Sequence, residues 1–244
     1  MCERRFRMNK ISQKFIRAIL LLFFGCGFLL SAGFAQAADV PVTAKIEPIQ
    51  KTDRILILAP HPDDETIWMG GMILSAENFD WTIFSLCRAD DSDRAPKFKK
   101  VCEYYNARGV ISDLEDEGIM DVSASLPEIK KRLAAEFAGQ KFDYIYTHGK
   151  NGEYGHERHL AVNLAVKELI KGKIISCRKL RFFAYRLKGK TIVNSEAANF
   201  ALELDGPTFI NKKNLIENIY KFNKNSFESL SCLKKETFIE QVVL

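Results

Sequence analysis

Apolar residues in this chain gather into short unbroken runs that end abruptly in polar loops. The run Ile55-Leu56-Ile57-Leu58 stops at Ala59-Pro60-His61-Pro62-Asp63-Asp64-Glu65, one imidazole and three carboxylates. An apolar run without alternation, bounded by turn residues, predicts a strand buried on both faces, as in a parallel sheet. A helix is predicted next over about residues 64–79, followed by a second strand over 81–86 and the polar loop Arg88-Ala89-Asp90-Asp91-Ser92-Asp93-Arg94. Phe98, Val101, Cys102 and Tyr105 recur at i, i+3, i+4, i+7 and predict a helix. Asn106-Ala107-Arg108-Gly109 ends it, with Gly109 as the residue just past the helix. Val110 and Ile111 open a short third strand. Leu126, Ile129, Leu133 and Phe137 mark another amphipathic helix, and residues 144–147 a fourth buried strand. A loop rich in Gly and His leads to a helix over about residues 156–169, and residues 180–185 form a fifth strand.

Strands that alternate with helices predict a parallel sheet covered on both faces. Ligands of such sheets bind just past the carboxyl ends of the strands, where the charged cluster after Ala59 falls. The last third changes style. Phe200, Leu202 and Leu204 alternate with Ala201 and Glu203 as in a half-buried strand, Asp205-Gly206 turns the chain, and Leu215, Ile219 and Phe222 give a helix face. The lysines here (Lys212, Lys213, Lys221, Lys224, Lys234, Lys235) are interleaved with acids and predict a solvated face. No repeat or low-complexity tract interrupts the pattern.

Charge changes this picture at one end only. The formal net charge is +5, but residues 1–37 carry six basic residues and one acid, which leaves 30 of each sign in the remainder. The rest of the chain is formally neutral, so the basic footprint of a nucleic-acid binder is missing. Residues 1–37 read as a basic stretch up to Arg17, an uncharged apolar stretch over 18–38, and the small-residue site Ala35-Gln36-Ala37. That is the layout of a secretory signal peptide, long enough to serve as an uncleaved membrane anchor instead. Residues 38–53 read as an extended linker and residues 54–244 as one domain. Export makes the protein periplasmic or secreted, or anchored by its N-terminal helix. Cleavage leaves four cysteines, Cys87, Cys102, Cys177 and Cys232, with no C-x-x-C spacing for a zinc knuckle. Cys87 and Cys102 sit on apolar faces and read as buried thiols rather than nucleophiles.

The chemistry concentrates in four histidines. His61, His148, His156 and His159 each lie just after a predicted strand or at the start of the next helix. His61 and Asp64 are three apart across a strand–helix junction. His156 and His159 are three apart at a helix start and share one face. Imidazole with carboxylate suits Zn²⁺, and a catalytic zinc keeps a position open for water whose pKa it lowers to about 7. A neighbouring carboxylate such as Asp63 can then act as general base. A spare imidazole can stabilise an oxyanion or protonate a leaving amine. Each motif alone is weak, because Asp and Glu also favour helix N-termini and many helices carry His-x-x-His. Their joint placement after the first and fourth strands is stronger. A dinucleotide site is excluded by the lack of G-x-G-x-x-G after the first strand. Met69-Gly70-Gly71-Met72 lies inside a helix, where its glycines allow close packing.

Two segments, Ala59-Pro60-His61-Pro62-Asp63-Asp64-Glu65 and His148-Gly149-Lys150-Asn151-Gly152-Glu153-Tyr154-Gly155-His156-Glu157-Arg158-His159, together resemble the PIG-L/LmbE-like zinc-dependent de-N-acetylases. The resemblance covers roughly residues 52–240, the last sixty only in outline. It implies an α/β, Rossmann-like three-layer sandwich with strand order 3-2-1-4-5 and a small C-terminal β/α extension. It also implies one Zn²⁺ per chain, with Fe²⁺ possible on the same ligands. By position it assigns His61, Asp64 and His159 as metal ligands, Asp63 as general base, and His156 as the oxyanion or leaving-amine group. Tyr154 and Arg94 match substrate-contacting residues, with Arg88 and His148 as weaker candidates. His148 could instead orient a ligand, and Glu65 supports the helix start. Glu157-Arg158 departs from the small residues or proline common in the family, with side chains expected to point off the ligand face. The resulting expectation is an exported amidohydrolase that removes acetyl from an N-acetylated amino sugar or glycoconjugate. Its partner would be a small molecule or glycan, with membrane contact only through an uncleaved N-terminus. The alternatives are a non-catalytic zinc- or sugar-binding protein and a membrane-anchored glycolipid de-N-acetylase.

Overall fold

The computed structural model describes residues 52–76 and 79–243. The expected export segment, 1–37, and most of the expected linker lie outside the described residues. Ten elements build the layered part of the fold. They are β1 (Arg54–Ala59), α1 (Asp64–Ser75), β2 (Asp80–Cys87), α2 (Arg94–Tyr104), β3 (Arg108–Leu114), α3 (Val122–Phe137), β4 (Lys141–Thr147), the one-turn α4 (Gly152–Gly155), α5 (Glu157–Lys171) and β5 (Ser176–Phe183). The strands β1 to β5 are parallel in the order 3-2-1-4-5, as expected. β1 shows why its sequence lacks alternation. Ile55 and Ile57 join the core beneath α1 and α2, whereas Leu56 and Leu58 join the core beneath α3 and α5. Both faces are dry, so every position is apolar.

The C-terminal third adds β6 (Tyr185–Lys188), β7 (Thr191–Asn194), β8 (Phe200–Glu203), α6 (Gly206–Asn214), α7 (Phe227–Ser231) and β9 (Lys235–Val242). β6 and β7 form a separate hairpin, β9 joins the main sheet antiparallel to β5, and β8 pairs antiparallel with β9 at the edge. Among the described residues no helix is long and apolar enough to cross a membrane.

Several local expectations change. α1 stops at Ser75, short of Phe79. The left-handed residue after α2 is Asn106 (φ 53°), and Gly109 instead lies within β3, where a Cβ would stand 2.7 Å from the Cys102 sulfur. β5 ends at Phe183, and Tyr185 begins the hairpin. The helix expected from Leu215, Ile219 and Phe222 is α6 followed by one π-helical turn, Leu215–Ile219, and Phe222 falls beyond it.

The largest correction is Lys212. It is fully buried rather than solvated, and its ammonium pairs with Glu236 of β9 at 2.7 Å. Glu236 also accepts the backbone N–H groups of Gly71 and Met72, both at 2.7 Å. Those groups are free because α1 is kinked at Met69 (φ −149°, ψ 17°), which makes Gly71 part of a new helix start. The glycine pair does permit close packing, since a Cβ on Gly71 would lie 2.3 Å from the Leu204 side chain. All four cysteines outside the N-terminal segment are buried and free.

Candidate active site and metal centre

β1 ends beside β4, and their following loops meet. In the first loop, His61 N–H donates to Asp64 Oδ2 (2.9 Å) and Trp68 Nε1 donates to Asp64 Oδ1 (2.8 Å), which fixes that carboxylate. Asp63 takes φ 122°, a region that side chains rarely adopt. Glu65 holds it there by accepting the Asp63 N–H (3.1 Å), and Glu65 is itself held by Thr66 (2.7 Å) and Tyr220 (2.8 Å). Strain at a polar residue facing a cavity is characteristic of functional positions. In the second loop, His156 caps α5, its Nδ1 accepting from Arg158 N–H (3.3 Å). The ring proton of neutral His156 is therefore on Nε2.

His61, Asp64 and His159 are brought together. His61 Nδ1 lies 3.1 Å from Asp64 Oδ2 and 3.4 Å from His159 Nε2, and His159 Nε2 lies 3.5 Å from Asp64 Oδ1. Ligand atoms about 2.0–2.1 Å from a tetrahedral zinc ion stand about 3.3 Å from one another. The donors also fit in kind. His159 Nδ1 bonds to the Glu153 carboxylate (2.7 Å), so a neutral ring presents its Nε2 lone pair to the Asp64 carboxylate. Two lone pairs face each other, and a cation between them removes the conflict. His148 Nε2, fully buried, points at the same carboxylate from 3.5 Å and has no hydrogen-bond partner.

Electrostatics separates the two aspartates. Burial opposes the Asp64 charge, but His159, His148 and His61 around it hold its pKa well below the usual range. Burial and the neighbouring Asp64 charge push Asp63 well above it, against the pull of Arg94. Burial would lower His61, yet its bonds to Asp116 and Asp64 push it up to about 10. His159 is pushed down to about 4 by burial and by His148, and His156 is lowered by burial and by His61.

A cavity of about 320 Å³ opens over this cluster. Asp63 and His156 line it, as do Tyr154, Arg94 and Arg88. Arg94 is not a free surface residue. Its Nη1 donates to Asp63 Oδ2 at 2.8 Å, and its guanidinium lies 4.4 Å from the Phe222 ring centre. Arg88 bonds to Asp116 (2.9 Å) and Glu117 (3.0 Å). Tyr154 packs against His159 (ring centres 5.2 Å apart) and Phe227 (4.9 Å). His148, grouped by sequence with the substrate-contacting candidates, is corrected here. It has no exposed surface and bonds to Glu153 (2.6 Å), so it cannot touch a substrate.

Two residues escaped the sequence reading. Asp116 accepts from His61 Nε2 (3.1 Å), and Glu153 from His159 and His148. Asp116 lies in an acidic run just past β3, at the same sheet edge as the other polar loops, which is the signal that could have found it. Arg158 does point off the ligand face. It is nevertheless buried and anchors Asp116's loop by donating to the Glu115 carbonyl (2.9 Å) and carboxylate (2.8 Å).

Residues 56–170 match the family model of PIG-L, described as GlcNAc-PI de-N-acetylase. Residues 56–170 form a PIG-L family domain. Both polar loops, from His61 through His159, fall inside it. Comparison of the sequence with curated proteins gives no match. Among solved structures, the chain resembles the N,N'-diacetylchitobiose deacetylase of Pyrococcus horikoshii at 14% identity and TM-score 0.53, covering 78% of this chain and 84% of that one. It also resembles the conserved protein TT1542 of Thermus thermophilus, at 16% identity and TM-score 0.54, covering 77% and 94%. A third is Dbv21, the deacetylase of the A40926 pseudoaglycone, at 15% identity and TM-score 0.53, covering 78% and 98%. At such identities these structures share the fold of this chain, over more of its length than residues 56–170.

Proposed function

We propose that this PIG-L protein is a metal-dependent hydrolase that removes the acetyl group from an N-acetylated amino sugar or glycoconjugate. The observation that carries the reading is the approach of His61 Nδ1 to Asp64 Oδ2 (3.1 Å), of His159 Nε2 to Asp64 Oδ1 (3.5 Å) and of the two ring nitrogens to each other (3.4 Å), with Asp63 and His156 lining the cavity beside them. His61, Asp64 and His159 would hold the metal, Zn²⁺ by the hardness of the donor set, with Fe²⁺ able to use the same ligands. When bound, the ion supplies Lewis-acid polarisation of the amide carbonyl and makes water acidic enough to react near neutral pH.

The protein groups do the rest. Asp63, which lines the cavity, accepts the proton from the attacking water. Arg94 orients the Asp63 carboxylate through Oδ2. His156 offers its Nε2–H to the oxygen of the tetrahedral intermediate, and the proton that Asp63 has taken from water passes to the departing amine nitrogen as the C–N bond breaks. Tyr154 reaches the same space and can donate to the carbonyl oxygen. Arg94 and Arg88 meet the hydroxyl-rich end of the sugar. The products are acetate and a free amine. The basic, apolar and small-residue order of residues 1–37 supports export, which favours extracytoplasmic glycans or scavenged amino sugars as substrates.

The test is metal analysis of purified protein together with acetate release from a panel of N-acetylglucosamine derivatives. A chelator should abolish release and added zinc should restore it. Metal-loaded protein that releases no acetate from any member overturns the reading.

A further inference from the structure

Glu153 is a buried carboxylate that takes no part in lining the cavity. Its Oε2 accepts from two imidazoles at once, His148 Nδ1 at 2.6 Å and His159 Nδ1 at 2.7 Å, while Oε1 accepts from Gly149 N–H at 2.8 Å. An ionised carboxylate only accepts, so both Nδ1 atoms must carry protons. The backbone is bent to achieve this. Glu153 adopts φ 56°, ψ −57°, a combination that is rare outside glycine, directly after Gly152 at φ 59°. Strain of this kind persists only where surrounding bonds over-determine it.

The consequences lie on the far side of each ring. With Nδ1 protonated, neutral His159 has its lone pair on Nε2, the atom that faces Asp64 Oδ1 and His61 Nδ1. The same oxygen of Glu153 turns His148 so that its unpartnered Nε2 faces Asp64 Oδ2 from 3.5 Å. The His148 and His159 rings pack tilted at 41° with centres 3.8 Å apart, and Asn163 ties the His148 carbonyl to α5 (2.8 Å). One carboxylate thus governs two of the three rings around Asp64.

We propose that Glu153 is a positioning residue of the metal centre, locking His159 in the Nδ1–H tautomer and aiming His148 Nε2 at Asp64. The inference rests on the metal-centre reading above, and its test is kept apart from acetate release. Glu153→Gln preserves size, but its amide offers one acceptor and one donor, so one ring meets a donor and turns its proton to Nε2. Zinc affinity, measured by competition with a chromogenic chelator, should fall about 10- to 100-fold. Ring-nitrogen NMR of the metal-free wild type supplies a readout that does not depend on the variant folding. It should show His159 protonated on Nδ1, a signature that a merely structural carboxylate would not enforce. A proton on His159 Nε2, or zinc affinity within twofold in E153Q, overturns the proposal and leaves the deacetylase reading standing. Wild type that binds zinc but releases no acetate overturns only the deacetylase reading. Wild type that binds no zinc overturns both.

Discussion

Residues 54–183 and residues 184–243 shape the same cavity by different means. The first part is a parallel sheet whose strands each deliver a polar loop to one edge, and nearly every reactive group comes from it: His61, Asp63, Asp64, His156 and His159. The second part supplies almost none of that chemistry, yet it touches the site's supports at five points. Tyr220 holds Glu65, which holds the strained Asp63. Phe222 underlies Arg94, and Phe227 packs on Tyr154. Tyr185 Oη donates to the Trp68 carbonyl at 2.6 Å, and Glu236 caps the second half of α1. Reactivity and rigidity are therefore encoded in separate stretches of the chain, and substitutions in the two should separate turnover from stability.

The largest effect is expected at Asp63. Asp63→Asn should lower kcat by about 10²- to 10⁴-fold, with zinc content and unfolding midpoint unchanged, as measured by acetate release and thermal denaturation. An Asp63→Asn protein that has lost its zinc would make Asp63 part of the metal cradle and erase the division.

Next comes Glu236→Gln, which leaves the buried Lys212 charge uncompensated. It should cost about 3–5 kcal/mol of stability in denaturant unfolding, while kcat of the folded fraction stays near that of the wild type. Lys212→Met should cost less, because two backbone N–H groups still hold the Glu236 carboxylate. Equal costs would show that the helix cap contributes little.

Tyr220→Phe removes one hydrogen bond to Glu65. A loss of about 1–2 kcal/mol is expected, with a smaller fall in kcat than at Asp63 because Glu65 still accepts from the Asp63 N–H. A fall in kcat as large as that of Asp63→Asn would move Tyr220 into the reactive half. The smallest effect should be Phe227→Ala at the exposed rim. Stability should change by no more than about 0.5 kcal/mol, and KM should rise about fivefold for the loss of one aromatic contact worth about 1 kcal/mol. Unchanged KM would remove Phe227 from the substrate's path.

The strands and the two polar loops could be read from sequence because their signals are local. Ile55 to Leu58 are apolar without a break because both faces of β1 are covered, and a burial pattern of that kind is written in consecutive residues. His156 and His159 share a face because a helix places residues three apart together. Asn106 and Gly109 show the limit, since either could end α2, and the packing of β3 against Cys102 decides between them. The C-terminal third was harder to read because its elements are short and its partners distant.

By itself, then, the sequence determined the order of the elements, the edge of the sheet where chemistry would gather, and the residue types available for it. Tertiary structure alone decided that Lys212 is buried, that His148 faces inward rather than toward substrate, and that Asp116 and Glu153 each hold the far nitrogen of a histidine beside Asp64. Hydropathy and spacing describe what a residue does for its own helix or strand. A buried charge or a chosen tautomer depends on one particular atom brought near from a distant part of the chain, and only the folded arrangement supplies that atom.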